Sequence, residues 1–206
     1  MKKLGFLLFL VLMLGIASGT MLAQNVGDNS VFFTTYYANN VSAAAVPDAT
    51  LRIVNDGDST VNYEGTLYAS IYVFDDSQEL TECCSCAITA DGLLSESVKN
   101  QLTTNPITGI KPPRGVIKVI SSTVEADVTT NFAPNVPAPG LRAWATHVQS
   151  VRNVYPYGPA PYALTETALA DSNLGTAEKS MLENLCYFDK LLSGHPCYCT
   201  PEDYDF

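Results

Sequence analysis

Six cysteines carry the clearest chemical signal in this 206-residue chain. They form two groups: Cys83, Cys84 and Cys86 in the middle, and Cys186, Cys197 and Cys199 near the end. Thiols in such groups either ligate a soft metal or pair by oxidation. Structural zinc sites typically use Cys-x2-Cys spacing, which Cys-Cys-x-Cys does not match. An even cysteine count in an exported chain points instead to disulfides. Bonds within a group are awkward, because adjacent cysteines close only a strained ring and Cys-x-Cys is little better. Most bonds are therefore expected between the groups, tying the chain's middle to its end across about 100 residues. On the chain-entropy argument the first such bond contributes ~4–5 kcal/mol, and nested ones add less.

The remaining candidates for chemistry are sparse. The two histidines are His147, within an apolar strand pattern, and His195, in the turn before Pro196. No His-Glu-x-x-His, Gly-x-Ser-x-Gly or phosphate-binding glycine loop occurs. A thiol nucleophile needs a free cysteine beside a positioned histidine, and oxidised cysteines do not supply one. The acidic pairs Asp56/Asp58 and Asp75/Asp76 and the tail Glu202-Asp203-Tyr204-Asp205 do not spell a calcium-binding loop. No catalytic, metal-ligating or cofactor-binding residue is assigned, and a non-enzymatic protein without a cofactor is expected.

The N-terminus explains why oxidised cysteines are expected. Met1-Lys2-Lys3 is a basic start, Leu4 to Ile16 is almost wholly apolar, and small residues follow to Ala23. That order is the signature of a secretory signal peptide. The apolar run falls short of the ~20 residues that span a bilayer. Cleavage after Ala23 gives a 1–23 signal and a mature chain starting at Gln24. Losing Lys2 and Lys3 leaves nine basic residues against 21 acidic ones, a net charge of −12. Such a chain repels phosphate backbones and anionic lipid surfaces, which excludes nucleic acid and, after cleavage, membranes as natural partners. The expected location is extracellular or at the cell surface.

The elements that position the cysteines read as strands. Ser30 to Tyr37 is dense in β-branched and aromatic residues. Leu51 to Val54 ends at the turn Asn55-Asp56-Gly57-Asp58. Tyr63 to Phe74 is the strongest pattern: Leu67, Ala69, Ile71 and Val73 share one face, with Tyr68, Ser70, Tyr72 and Phe74 on the other. The first face suits a sandwich core, and the aromatic face suits a second packed layer or a partner chain. Further strands are read at 92–98, 116–121, 141–148 and 163–169. Thr176 is placed as the N-cap of a helix over 177–192, where Leu182, Leu185 or Cys186, and Asp189 follow helical spacing, so that Leu182 and Leu185 can face the core, and Gly194 and Pro196 end it. Short strands punctuated by turns, without alternating helices, predict a mainly β protein. The expected fold is an immunoglobulin-like or jelly-roll-type β-sandwich with one C-terminal helix and disulfide staples.

Two resemblances follow from these residues. Ile71-Tyr72-Val73-Phe74-Asp75, Gln78-Glu79 and Glu82-Cys83-Cys84-Ser85-Cys86 resemble a family of uncharacterised secreted bacterial proteins, as do Thr103 to Gly109, Leu141-Arg142-Ala143-Trp144 and the terminal Cys-x-Cys. This likeness implies no activity. An apolar, β-prone segment over 24–48, ahead of a domain over 49–206, is similar in architecture to the donor strand of self-assembling extracellular filament subunits. In that arrangement a strand of one copy fills an open sheet edge and groove of the next. Val31, Phe33, Thr35 and Tyr37 would form one insertion face, and Phe32, Thr34 and Tyr36 the other. The implied function is a pilus-like filament or surface layer, a head-to-tail homopolymer. The alternative is a monomeric binding module, with a glycan as possible ligand of the aromatic loop at Tyr155, Tyr157 and Tyr162.

Overall fold

The computed structural model describes residues 29–38, 48–57, 65–103, 108–126, 134–150, 162–193 and 199. Residues 1–23, Tyr155, Tyr157, His195, Cys197 and the acidic tail lie outside them. Among the described residues there are nine strands: β1 (Phe32–Ala38), β2 (Thr50–Asn55), β3 (Leu67–Asp75), β4 (Leu80–Ile88), β5 (Leu93–Ser97), β6 (Arg114–Ser122), β7 (Leu141–Ser150), β8 (Tyr162–Ala168) and β9 (Ala170–Asp171). One helix, α1 (Thr176–Ser193), follows them. The strands form two antiparallel sheets, ordered β4-β3-β6-β1-β9 and β5-β2-β7-β8. The protein is a mainly β sandwich with a C-terminal helix and disulfide staples, as the sequence led us to expect.

The two-residue period of β3 sorts its side chains between two cores. Leu67, Ala69, Ile71 and Val73 are fully buried in the core between the sheets, with Leu51, Ile53, Ile117 and Val119. Tyr72 and Phe74 occupy a second core with Phe32, Cys83 and Ile120, beneath Leu182 and Cys186 of α1. The aromatic face thus has a packed layer of its own, and β3 is buried on both sides. Each fully buried side chain of this size contributes ~1.5–3 kcal/mol relative to exposure. Of the two alternatives at 185 and 186, the helix turns the second inward. Leu185 is 36% exposed, and Cys186, one position on, takes the inward place beside Leu182.

β4 was not anticipated. Residues 75–79 read as a strand end running straight into a cysteine cluster. They form instead a tight connection in which Asp75 Oδ1 accepts hydrogen bonds from the Ser77 and Glu79 amides, both at 2.9 Å. The chain then returns as a full strand, paired with β3 from Leu67↔Ile88 to Phe74↔Leu80. That strand explains why bonds within the first cysteine group do not form. Successive residues point to opposite faces, so Cys84 and Cys86 enter the inter-sheet core while Cys83 faces α1. Cys83 bonds Cys186 and Cys86 bonds Cys199. Cys84 is also disulfide-bonded.

The N-terminal segment finds its place in this same sheet. β1 pairs with β6 along its whole length, from Phe32↔Ile120 to Ala38↔Arg114. On its other side it meets β9 at only two positions, Phe33↔Asp171 and Thr34↔Ala170. Within a single chain, β1 is a strand of the domain and not a free arm. The reason is apolar: Phe33 and Tyr37 fill the inter-sheet core and Phe32 fills the core under α1, each under 5% exposed. Packing here is close. A Cβ on Gly115 would lie 1.8 Å from the Phe74 carbonyl oxygen and 2.8 Å from the Tyr37 ring, so only glycine fits where β6 passes between β3 and β1.

Candidate functional site

Two places bring polar chemistry together. The first is a cleft of about 450 Å³ at the corner where the chain crosses from β8 to β9, and so from one sheet to the other. β1 supplies Thr34, Thr35 and Tyr36 to its wall, and β6 supplies Val116. His147 of β7 and Thr167, Ala168 and Ala170 at the crossover complete it. The Tyr36 and His147 rings stack with centroids 4.1 Å apart and planes 15° from parallel. Tyr36 is 53% exposed while His147 is 2% exposed. The half-exposed tyrosine ring therefore lies against a sealed imidazole.

His147 lies on β7, as its strand pattern led us to expect, and is buried. Its Nε2 lies 2.9 Å from Thr167 Oγ1, with the direction of the bond set by the tautomer. Its Nδ1 is buried and has no hydrogen-bond partner among the described residues. Burial also lowers the imidazole's proton affinity below the ordinary value, so the ring is neutral near pH 7. An unsatisfied buried polar atom costs ~1–3 kcal/mol. The neighbouring hydroxyls are Thr34 Oγ1, 3.1 Å from Ser172 Oγ, and Thr35 Oγ1, which donates to the Tyr36 carbonyl at 3.3 Å.

The second place is a buried acidic cluster where α1 lies on the outer sheet. Glu82 of β4 and Asp189 of α1 are both under 10% exposed, beside the Cys83–Cys186 bond. Burial, and then the negative charge of Asp189, pushes the Glu82 carboxyl up to about 8, against the opposing effects of the Cys83 amide and Lys190. Burial also raises Asp189, opposed by Lys190. Nearby, Glu183 Oε1 accepts from the Asn135 amide at 2.6 Å, from Asn135 Nδ2 at 3.0 Å and from Lys179 Nζ at 2.9 Å. Asn135 Nδ2 is also 3.0 Å from the Tyr72 hydroxyl, and Ser70 Oγ donates to Asn135 Oδ1. This network seats the helix. Its acids are enclosed between layers.

A third acid stands alone. Glu96 of β5 shares the inward face with Leu94 and is 1% exposed. Neither of its carboxyl oxygens has a hydrogen-bond partner among the described residues, and burial pushes the group up to about 7. No group of three or more His, Cys, Asp or Glu suited to a metal ion occurs among the described residues.

The sequence-level candidates are distributed between these places. Of the seven candidate insertion residues, Phe32, Phe33 and Tyr37 fill cores, and Thr34, Thr35 and Tyr36 line the cleft. Val31 packs against the core beneath α1. Tyr162, from the aromatic loop considered for glycans, packs against the inter-sheet core. Glu82, Asp189 and Glu96 were not singled out from the sequence. The signal for Glu96 was its inward register with Leu94, a carboxylate where an apolar residue belongs.

No family model and no curated protein matches the chain. One solved structure, the Anabaena sensory rhodopsin transducer, is similar over 45% of this chain and 88% of its own, with 11% sequence identity and a TM-score of 0.35. A likeness this distant carries no functional argument.

Proposed function

We propose that the protein is a secreted, non-enzymatic structural subunit that self-associates outside the cytoplasm by exchanging β1 between copies, forming a filament or surface layer when exchange runs head to tail. The observation that carries this reading is the seating of β1. It is the first strand of the domain, it places three aromatic rings in two cores, and its outer neighbour is only two residues long. Without β1 the slot beside β6 exposes an unpaired edge and two apolar hollows, which a strand from a second copy can fill with identical contacts. The Cys83–Cys186 bond holds α1 on β4 while the slot is empty.

Cross-linking separates the closed chain from the exchanged one. Ala38 and Arg114 face each other at the end of the β1–β6 pairing. Mixing Ala38→Cys chains with Arg114→Cys chains under oxidation is expected to give covalent heterodimers, because only exchange brings the two positions together. A mixture that yields no more heterodimer than the unmodified protein would count against exchange. A second reading, a monomeric binding module, is favoured by the cleft at Tyr36 and His147.

A further inference from the structure

We propose that the Tyr36–His147 cleft binds a neutral saccharide unit, the sugar ring stacking on Tyr36 and its hydroxyls reaching the threonines and the His147 edge. This deepens the binding-module reading and does not depend on filament formation, since β1 builds the same wall whichever copy supplies it.

The ligand class follows from what lines the cleft. Among the described residues the lining holds no carboxylate and no Lys or Arg, and burial favours the neutral form of its histidine. A cation meets no counter-charge from these residues, and an anion must approach an acidic chain, net charge −10 over the full sequence. The ligand is therefore uncharged. The apolar contributions are one half-exposed aromatic ring, Val116 and two alanines. The polar ones are threonine hydroxyls, which both donate and accept. Flat apolar surface beside paired donor–acceptor groups matches a ring with a C–H face and a hydroxyl rim. The volume falls within the ~300–1,000 Å³ usual for small-molecule sites.

His147 is the second, independent indication. Its Nδ1 has no partner among the described residues, and an unpaired buried nitrogen calls for a group that completes it. Tyr36 covers the face of that ring, whereas Nδ1 bonds in the ring plane, so the tyrosine can carry the sugar without leaving its place. A hydroxyl arriving at Nδ1 would satisfy the atom and recover the cost of leaving it bare.

The test is NMR titration of the mature chain, reading the His147 ring resonances against a millimolar panel of maltotriose, cellotriose, chitotriose and N-acetyllactosamine, with a library of neutral aromatic fragments run alongside. At least one saccharide is expected to move the His147 signals saturably. Tyr36→Ala is expected to weaken that binding tenfold or more, and Tyr36→Phe to change it less than threefold. Both variants alter an exposed ring and should leave the fold intact, which the backbone spectrum checks. Signals moved only by the aromatic fragments would overturn the saccharide assignment and keep the binding reading. Signals moved by neither panel, or saccharide binding indifferent to Tyr36→Ala, would overturn the site itself.

Discussion

Reducing the disulfides under otherwise native conditions is expected to unfold the domain. Cys83–Cys186 and Cys86–Cys199 span 103 and 113 residues. The first bond to close a loop of that size removes ~4–5 kcal/mol of unfolded-state entropy. With Cys86–Cys199 in place, Cys83–Cys186 closes only a residual ring, because three residues separate the first pair of positions and thirteen the second. A ring of about sixteen residues is worth ~3 kcal/mol. Together the two approach 8 kcal/mol, comparable to the whole stability of a typical domain at ~5–15 kcal/mol. Urea titrations with and without a phosphine reductant would measure this. The Cys83→Ala/Cys186→Ala variant should lose about 3 kcal/mol and loosen α1 first, seen as faster hydrogen exchange at Leu182. A reduced protein with an unchanged urea midpoint would show that the cores suffice without the staples.

Stability is also expected to fall as pH rises from mildly acidic to mildly basic, the reverse of ordinary acid denaturation. Glu82 is the main cause. Its ordinary value is 4.5, and in the fold it is pushed up to about 8 by burial and by Asp189. Between those values the unfolded chain has released a proton that the folded chain retains, so each rise in pH favours unfolding. Above about 8 both states are ionised and the loss levels off. The full effect is on the order of 4 kcal/mol. Asp189 is raised by the same burial, and Glu96, held at about 7 by burial, acts in the same direction. Urea midpoints at about pH 5 and about pH 9 check the sign. Glu82→Gln should remove most of the slope and be the more stable protein at the higher pH. A midpoint that rises between these pH values, or a slope unaffected by Glu82→Gln, would show that water reaches the acid pair.

These expectations rest on features that were unequally legible in the sequence. The period of two in β3 was plain, because Leu67, Ala69, Ile71 and Val73 are all apolar, and the structure buries each of them. The partition of the cysteines into two groups pointed to bonds between them for the same local reason that β4 enforces. β4 itself was hidden, since its alternation is written in Thr, Glu, Ser and Cys, which carry little hydropathy contrast. Leu185 and Cys186 could not be separated because residues 185 and 186 sit only ~100° apart on a helix; Cys186, bonded to Cys83, is the one turned inward. The cleft could not be read at all. Tyr36 and His147 are over 100 positions apart and meet only because β1 and β7 come together across two sheets. The buried acids were obscure for a related reason: carboxylates read as surface, and only tertiary enclosure reveals Glu82 and Asp189 as a pair.

The central claim is that β1 passes between copies. Its most direct test is negative-stain microscopy with light scattering of the chain from Gln24, beside a chain lacking residues 24–38, with and without a synthetic peptide of residues 29–38. The full chain is expected to form concentration-dependent oligomers or fibres. The shortened chain should form none, and the peptide should bind its empty slot to give a stabilised monomer. A full-length protein that stays monodisperse and monomeric at every concentration, with a shortened chain that folds equally well, would contradict the account.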